Sequence, residues 1–120
     1  MKCVCSNLPD AFYLDAAPPA WTASLLWEEA FAWRTLYSCP ECGTLWAIDD
    51  WDKYMPQVVN RVKDRSRWTE EPLKETRKQL LLQSRGGTEE ETCIWAGCSG
   101  KRVKGTVFCV DHLWKMGVRR

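Results

Sequence analysis

The chain is poor in the side chains on which most enzymes depend. Its 120 residues include one histidine, His112. It has no G-x-G-x-x-G and no P-loop pattern, so the usual glycine cradles for nucleotide phosphates are missing. Mean hydropathy is −0.42, and no apolar run approaches the roughly 20 residues of a membrane-spanning helix. The start, Met1-Lys2-Cys3-Val4-Cys5, lacks the apolar core of a signal peptide. These absences lead to the expectation of a reduced, cytoplasmic chain with no membrane contact.

What is abundant is cysteine and tryptophan. Seven cysteines are an odd number, so a disulfide framework would leave one thiol over. With His112 they make eight potential metal ligands in four pairs: Cys3-x-Cys5, Cys39-x2-Cys42, Cys93-x4-Cys98 and Cys109-x2-His112. A structural zinc ion takes four such ligands in a tetrahedron. Eight ligands fill two closed sites with none left over, and two structural Zn2+ ions are expected. Cys39-x2-Cys42-Gly43 carries a strong knuckle spacing, because the glycine allows the backbone to turn with positive φ. Cys109 and His112 lie three residues apart, which puts both on one face if a helix follows the third cysteine. Sequential pairing gives Cys3, Cys5, Cys39 and Cys42 one ion, and Cys93, Cys98, Cys109 and His112 the other. A cross-braced pairing of first with third pairs is the alternative, and the 50 residues between Cys42 and Cys93 make it awkward.

With the ligands removed from the inventory, no histidine or free thiol remains for acid–base or nucleophilic work. Asp49, Asp50 and Asp52 are the remaining candidate carboxylates, and they read more simply as a solvated acidic turn. No catalytic residue is expected.

The sequence predicts a small, metal-stabilised α+β fold: residues 1–63 as a zinc-ribbon-like β-hairpin module with an insertion, 64–92 as helix and linker, 93–120 as a C-terminal zinc finger. Trp21–Ala30 has weak helical spacing. Phe31–Ser38 alternates into Cys39 as a strand, Thr44–Ile48 returns from the knuckle, and Val58, Val59 and Val62 mark a strand near 56–63. Thr69-Glu70-Glu71-Pro72 is a helix start with a capping threonine and acids at the positive end of the dipole. Leu73, Leu80 and Leu81 form the helix's apolar stripe, Gly86-Gly87 ends it, and Gly86–Thr92 reads as a hydrophilic linker. No internal repeat relates the two modules.

Charge divides the chain. Residues 1–60 carry three basic and eight acidic side chains, net −5, and 61–120 carry fourteen basic and eight acidic, net +6. Four thiolates on Zn2+ would make the first half more acidic. Glu41, Asp49, Asp50 and Asp52 interleave with Trp46, Trp51 and Tyr54, a pattern of aromatic anchors among carboxylates that suits a basic protein partner. Each of the eight tryptophans also has the simpler reading of core filler. The competing reading is nucleic-acid binding through Arg61, Lys63, Arg65 and Arg67 along one strand face, with Lys101, Arg102, Lys104 and Arg119-Arg120.

Two resemblances accompany these patterns. Cys93-Ile-Trp-Ala-Gly97-Cys98 … Gly105-Thr-Val-Phe108-Cys109-Val-Asp-His112 resembles the small treble-clef-like zinc fingers of phage and bacterial proteins. Some of those accompany HNH nucleases, but the further histidines of that core are absent here. Residues 37–63, from Tyr37-Ser-Cys39-Pro-Glu41-Cys42 through Trp46, Trp51 and Tyr54, resemble small bacterial zinc-ribbon proteins of the toxin-immunity type. That likeness implies an inhibitor that masks a bacterial toxin domain.

Overall fold

The alternation around the knuckle does produce a hairpin, and it forms the middle of a five-stranded antiparallel sheet. A computed structural model describes residues 3–70 and 73–120 of the chain. Its elements in chain order are β1 Ala11–Tyr13, β2 Leu26–Phe31, β3 Arg34–Ser38, β4 Leu45–Asp49, β5 Val58–Val62, α1 Leu73–Ser84, β6 Thr88–Thr92, β7 Lys101–Val103 and α2 Val110–Lys115. The fold is α+β with antiparallel sheets. It divides into two compact units, residues 1–71 and 72–120.

In the first unit the strand order is β1-β5-β4-β3-β2. Both faces of the sheet are covered, which explains why buried positions run consecutively in β4 and β5. On one face Trp46, Ile48 and Val59 pack with Phe12, Trp21, Cys5 and Cys39. The Trp21 and Trp46 rings meet edge-on at 5.2 Å, with Phe12 5.8 and 5.9 Å from them. On the other face Leu36, Ala47 and Val62 pack against Trp68, which the turn after β5 folds back over the sheet.

Two sequence expectations fail here, the helix over Trp21–Ala30 and the unbroken strand over Phe31–Ser38, which the Ala32–Trp33 turn interrupts. Residues 26–31 are strand, not helix: only Thr22–Ser24 makes a short 3-10 turn. The reason is a bulge between Trp27 and Glu29 in the pairing with β3, which spoils the alternation that would have marked the strand. The bulge lets two consecutive carboxylates grip one guanidinium, with Arg65 donating to Glu28 and Glu29 at 2.9 and 3.3 Å. The turn from β2 to β3 is the two residues Ala32 and Trp33, with φ of +48° and +67°. This is the type I′ geometry of tight hairpins, which normally selects Asn-Gly.

In the second unit Leu81 of α1 packs with Val103 of β7 and Leu113 of α2, joined by Phe108, Val110, Trp114 and Val118. Lys78 donates to Asp111 at 2.9 Å and ties α1 to α2. After the helix, Gly87 donates its N–H to the Leu82 carbonyl at 3.0 Å, with Gly86 and Gly87 both at positive φ. That is the αL ending glycine permits. Of the expected helix start, Glu71, Pro72 and the Leu73 side chain lie outside the described residues. The expected linker 86–92 is largely strand: Thr88–Thr92 pairs with β7. Its side chains are mostly exposed, so no buried periodicity betrays it in the sequence.

Candidate metal centres and binding surface

The first centre is built where chain start and knuckle meet. Turning from β3 into β4, Cys39 N–H bonds the Thr44 carbonyl at 2.9 Å and Gly43 N–H bonds the Cys39 carbonyl at 2.9 Å, with Gly43 at φ +77°. This presents Cys39 and Cys42 together. Cys3 and Cys5 are delivered by the N-terminal segment, which Arg61 clasps. Its Nη2 donates to the carbonyls of Cys5 and Leu8 at 2.8 Å, its Nε donates to Asp10 at 2.9 Å, and its guanidinium lies 4.3 Å from the Trp46 ring centroid. Trp46 Nε1 donates to the Cys5 sulfur at 3.4 Å. The four sulfurs lie within 4.8 Å of one another. Burial pushes the Cys5 thiol up to about 12, while Thr44, through its hydroxyl and backbone N–H, draws the exposed Cys42 down to about 6. A cation is what lets such a set ionise together.

The second centre sits at the tip of the β6–β7 hairpin and the start of α2. Cys93 N–H bonds the Gly100 carbonyl at 2.8 Å, and Cys98 N–H bonds that of Trp95 at 3.0 Å. Cys109 occupies the N-cap of α2 and His112 its first turn, the one-face arrangement expected. The Cys98 and Cys109 sulfurs are 3.7 Å apart. Tetrahedral zinc with Zn–S of about 2.3 Å requires roughly 3.8 Å. His112 points Nδ1 at the cluster, 3.2 Å from Cys109 and 3.5 Å from Cys93. The Trp95 indole stacks on its ring at 4.4 Å and 7°, fixing the ring plane. The N–H groups of Trp95 and Gly100 donate to Cys93 and Cys98. Gly100 is required: a Cβ there would meet the Cys109 Cβ at 3.0 Å and two sulfurs at 3.5 Å. All eight expected ligands therefore converge in two groups that could hold metal, paired sequentially and not cross-braced.

The residues expected to meet a partner do not form one patch. Trp46 is fully buried between the sheet and the N-terminal segment; its bulk fills the core, and it offers no surface. Glu41 is exposed in the knuckle at one end of β4, while Asp49 and Asp50 stand at the other. The strand separates them by about 13 Å at 3.3 Å per residue. Asp49 serves the loop fold by accepting from Val58 N–H at 3.0 Å. Asp52 does likewise, accepting from the N–H groups of Tyr54 and Met55.

The far end of the sheet is nevertheless aromatic and acidic. Trp51 is 75% exposed and Tyr54 84%. The structure adds Trp33, 85% exposed on the type I′ turn. Its carbonyl accepts from Asp50 N–H at 2.8 Å, and the Asp50 carboxylate accepts from Thr35 at 2.9 Å. The two loops are thereby locked together. Nothing in the sequence placed Trp33 at a turn, because neither neighbour is a turn former.

Each basic side chain of the run has an acidic partner within the chain, though Lys63 and Arg67 stay mostly exposed. Arg61 and Lys63 pair with Asp10, Arg65 with Glu28 and Glu29, and Arg67 with Glu70. The strand ends at Val62, so these side chains do not share one face. Among the described residues no helix is long and apolar enough to cross a membrane.

No protein-family model matches the chain, and neither a curated protein nor a solved structure does.

Proposed function

We propose that the protein is a non-catalytic binding module held together by two structural zinc ions, and that it acts by covering a basic protein partner. The first cluster is then a zinc ribbon on the β3–β4 hairpin, and the second a treble-clef-like finger. The observation that carries the binding reading is the sheet end where Trp33, Trp51 and Tyr54 stand exposed beside Asp50 and Asp52. Large aromatics at such exposure contribute nothing to folding and are the residues that anchor interfaces. Carboxylates beside them repel phosphate and steer a basic surface inward. The first unit carries seven basic and eleven acidic side chains, net −4, before thiolate-bound zinc adds further negative charge. At this end of the first unit that favours a protein over a nucleic acid, as does the pairing of Arg61 with Asp10 and of Arg65 with Glu28 and Glu29.

The narrower form of the reading is neutralisation of a bacterial toxin in the cytoplasm, and it rests on the resemblance of residues 37–63. A basic, nucleic-acid-cleaving or nucleotide-using target is what an acidic aromatic end would complement. The test is a comparison of wild type, Trp51→Ala and Asp50→Asn against a captured partner. Trp51→Ala should raise the dissociation rate with the melting temperature unchanged. Asp50→Asn keeps the acceptor for Thr35 and should lower the association rate and its salt dependence. Generic nucleic acid bound equally by all three would overturn the proposal.

A further inference from the structure

The two sulfur clusters differ in what solvent can reach. In the second, Cys93 and Cys109 are buried and Cys98 is half-buried. In the first, Cys5 is 1% exposed and Cys39 5%, and Cys3 is half-buried. Of the seven cysteines only Cys42 is exposed. The knuckle causes this. Gly43, at positive φ, turns the chain back to Thr44, which leaves Cys42 outside the turn, while Cys39 packs inward with Phe12, Trp21 and Trp46. The Thr44 hydroxyl lies 3.0 Å from the Cys42 sulfur and steadies it there. A cleft of about 250 Å3, walled by Val4, Pro19, Trp21 and Pro40, also opens onto Cys3 and Cys39. The second centre borders a cleft of about 660 Å3, but no sulfur there stands exposed.

Oxidation of cysteine follows thiolate character and exposure. All the cysteine ligands of a zinc ion are thiolates, so within a loaded centre exposure decides which reacts first. That ligand is Cys42. The other three sulfurs of its centre lie within 4.8 Å. Cys39 is the partner in the same knuckle, at the C-x2-C spacing that closes into a disulfide in redox proteins. The bond can form without movement of the N-terminal segment that carries Cys3 and Cys5.

We propose that Cys42 is an oxidation site, and that a peroxide converts Cys39 and Cys42 to a disulfide and empties the first centre before the second. The Cys42 thiolate attacks one peroxide oxygen, the O–O bond breaks, and hydroxide leaves; Cys42 is then a sulfenic acid. The Cys39 thiolate attacks the Cys42 sulfur, forms the S–S bond and expels the second hydroxide. Two electrons have passed from the sulfurs to the peroxide. Cys3 and Cys5 alone remain as ligands, two where a closed site needs four. Their tie to the knuckle is lost, which loosens the segment over Trp21 and over Trp46, whose indole N–H donates to Cys5 at 3.4 Å. Binding by the first unit is thereby switched off by oxidant and regained with a dithiol and zinc. The inference rests on the two-zinc reading, and its test tells the two failures apart.

The probe is hydrogen peroxide, added stepwise to the zinc-loaded full chain, with wild type set beside Cys42→His. The variant loses the exposed thiol but keeps four ligands, because imidazole binds zinc as thiolate does. Native mass spectrometry counts the ions, and peptide mapping after alkylation locates the disulfides. Wild type should lose one zinc, gain a Cys39–Cys42 bond and change its tryptophan fluorescence while Cys93, Cys98 and Cys109 stay reduced. Dithiothreitol and zinc should restore the starting state. Cys42→His should release its first zinc about ten-fold more slowly. First loss from the second centre, a Cys98–Cys109 bond in the one-zinc species, or equal release rates in the two proteins would overturn the proposal. If Cys42→His takes up only one zinc, the order of loss and the disulfide map of wild type decide. Wild type that keeps both ions under peroxide overturns the oxidation site and leaves the metal reading standing. No zinc before peroxide refutes the metal reading, and the disulfide map then decides Cys42 by itself.

Discussion

Replacing Trp33 by glycine should make the protein more stable and bind less well. Trp33 holds φ +67° next to Ala32 at φ +48°, a region that costs a side chain with a Cβ roughly 1–2 kcal/mol. A bulky residue there is unusual. Its ring recovers little, since 85% of the residue is exposed. Glycine relieves that strain but adds freedom to the unfolded chain, offsetting about 0.5–1 kcal/mol. The net gain is about 0.5–1 kcal/mol, or roughly 2–8 °C in the melting temperature of a unit this small. Ala32→Gly should give a similar gain. The two variants part in binding. Loss of an interface anchor costs about 2 kcal/mol or more, some 30-fold in affinity, and only Trp33→Gly should show it. Thermal melts by near-ultraviolet circular dichroism and titration with the captured partner supply both quantities. A lower melting temperature for Trp33→Gly would mean that the indole packs in the folded state. A higher one with unchanged affinity would show that the strained turn is not kept for recognition.

Three further outcomes follow from the same contacts. Arg61→Leu removes the clasp on Cys5 and Leu8; the Cys5 carbonyl keeps the Leu8 N–H, so loss of the Leu8 contact should destabilise the first unit by about 1–3 kcal/mol and speed zinc loss to a chelator from that centre only. Gly100→Ala forces a Cβ against Cys109 and should weaken metal retention at the second centre, read as faster transfer to a colorimetric chelator, with the first centre unaffected. Acidification should unfold the protein in a fixed sense. Thiolates bound to metal, and Asp10 and Glu28 with pKa values lowered chiefly by hydrogen bonds, from Arg61 and from Ser38 respectively, all stabilise in their ionised forms. That contribution is complete above their ordinary pKa values and is lost as pH falls through the folded ones. Metal release and loss of the sheet should therefore coincide in a pH titration; stability rising on acidification would contradict this.

The two ligand clusters were legible because their chemistry is sparse. Eight ligand side chains at knuckle spacings leave few ways to pair, and the bite between Cys109 and His112 already implied the helix on which they sit. β3 and β4 were legible through alternation, and β5 through its valines. β2 was not, because one inserted residue at Glu28 shifts the alternation, and Glu-Glu-Ala reads as helix. β6 was not, because Thr-Glu-Glu-Glu-Thr buries almost nothing and its pairing with β7 depends on the knuckle between them. The residues expected at a partner patch are divided between surface and core. Trp51 and Tyr54 do face solvent, but Trp46 is core, and Glu41 stands at the other end of the strand. Trp33 was invisible as a contact residue, since its exposure follows from a turn that its sequence does not favour. The basic run misled for a related reason: its partners, Asp10, Glu28 and Glu29, lie more than thirty residues away in the chain.

Native mass spectrometry and elemental analysis of protein purified without added metal test the central claim most directly. The account predicts two zinc ions per chain, and cooperative loss of both folded units when a chelator removes them. One ion or none in a folded protein, or the cysteines found as disulfides, would contradict it.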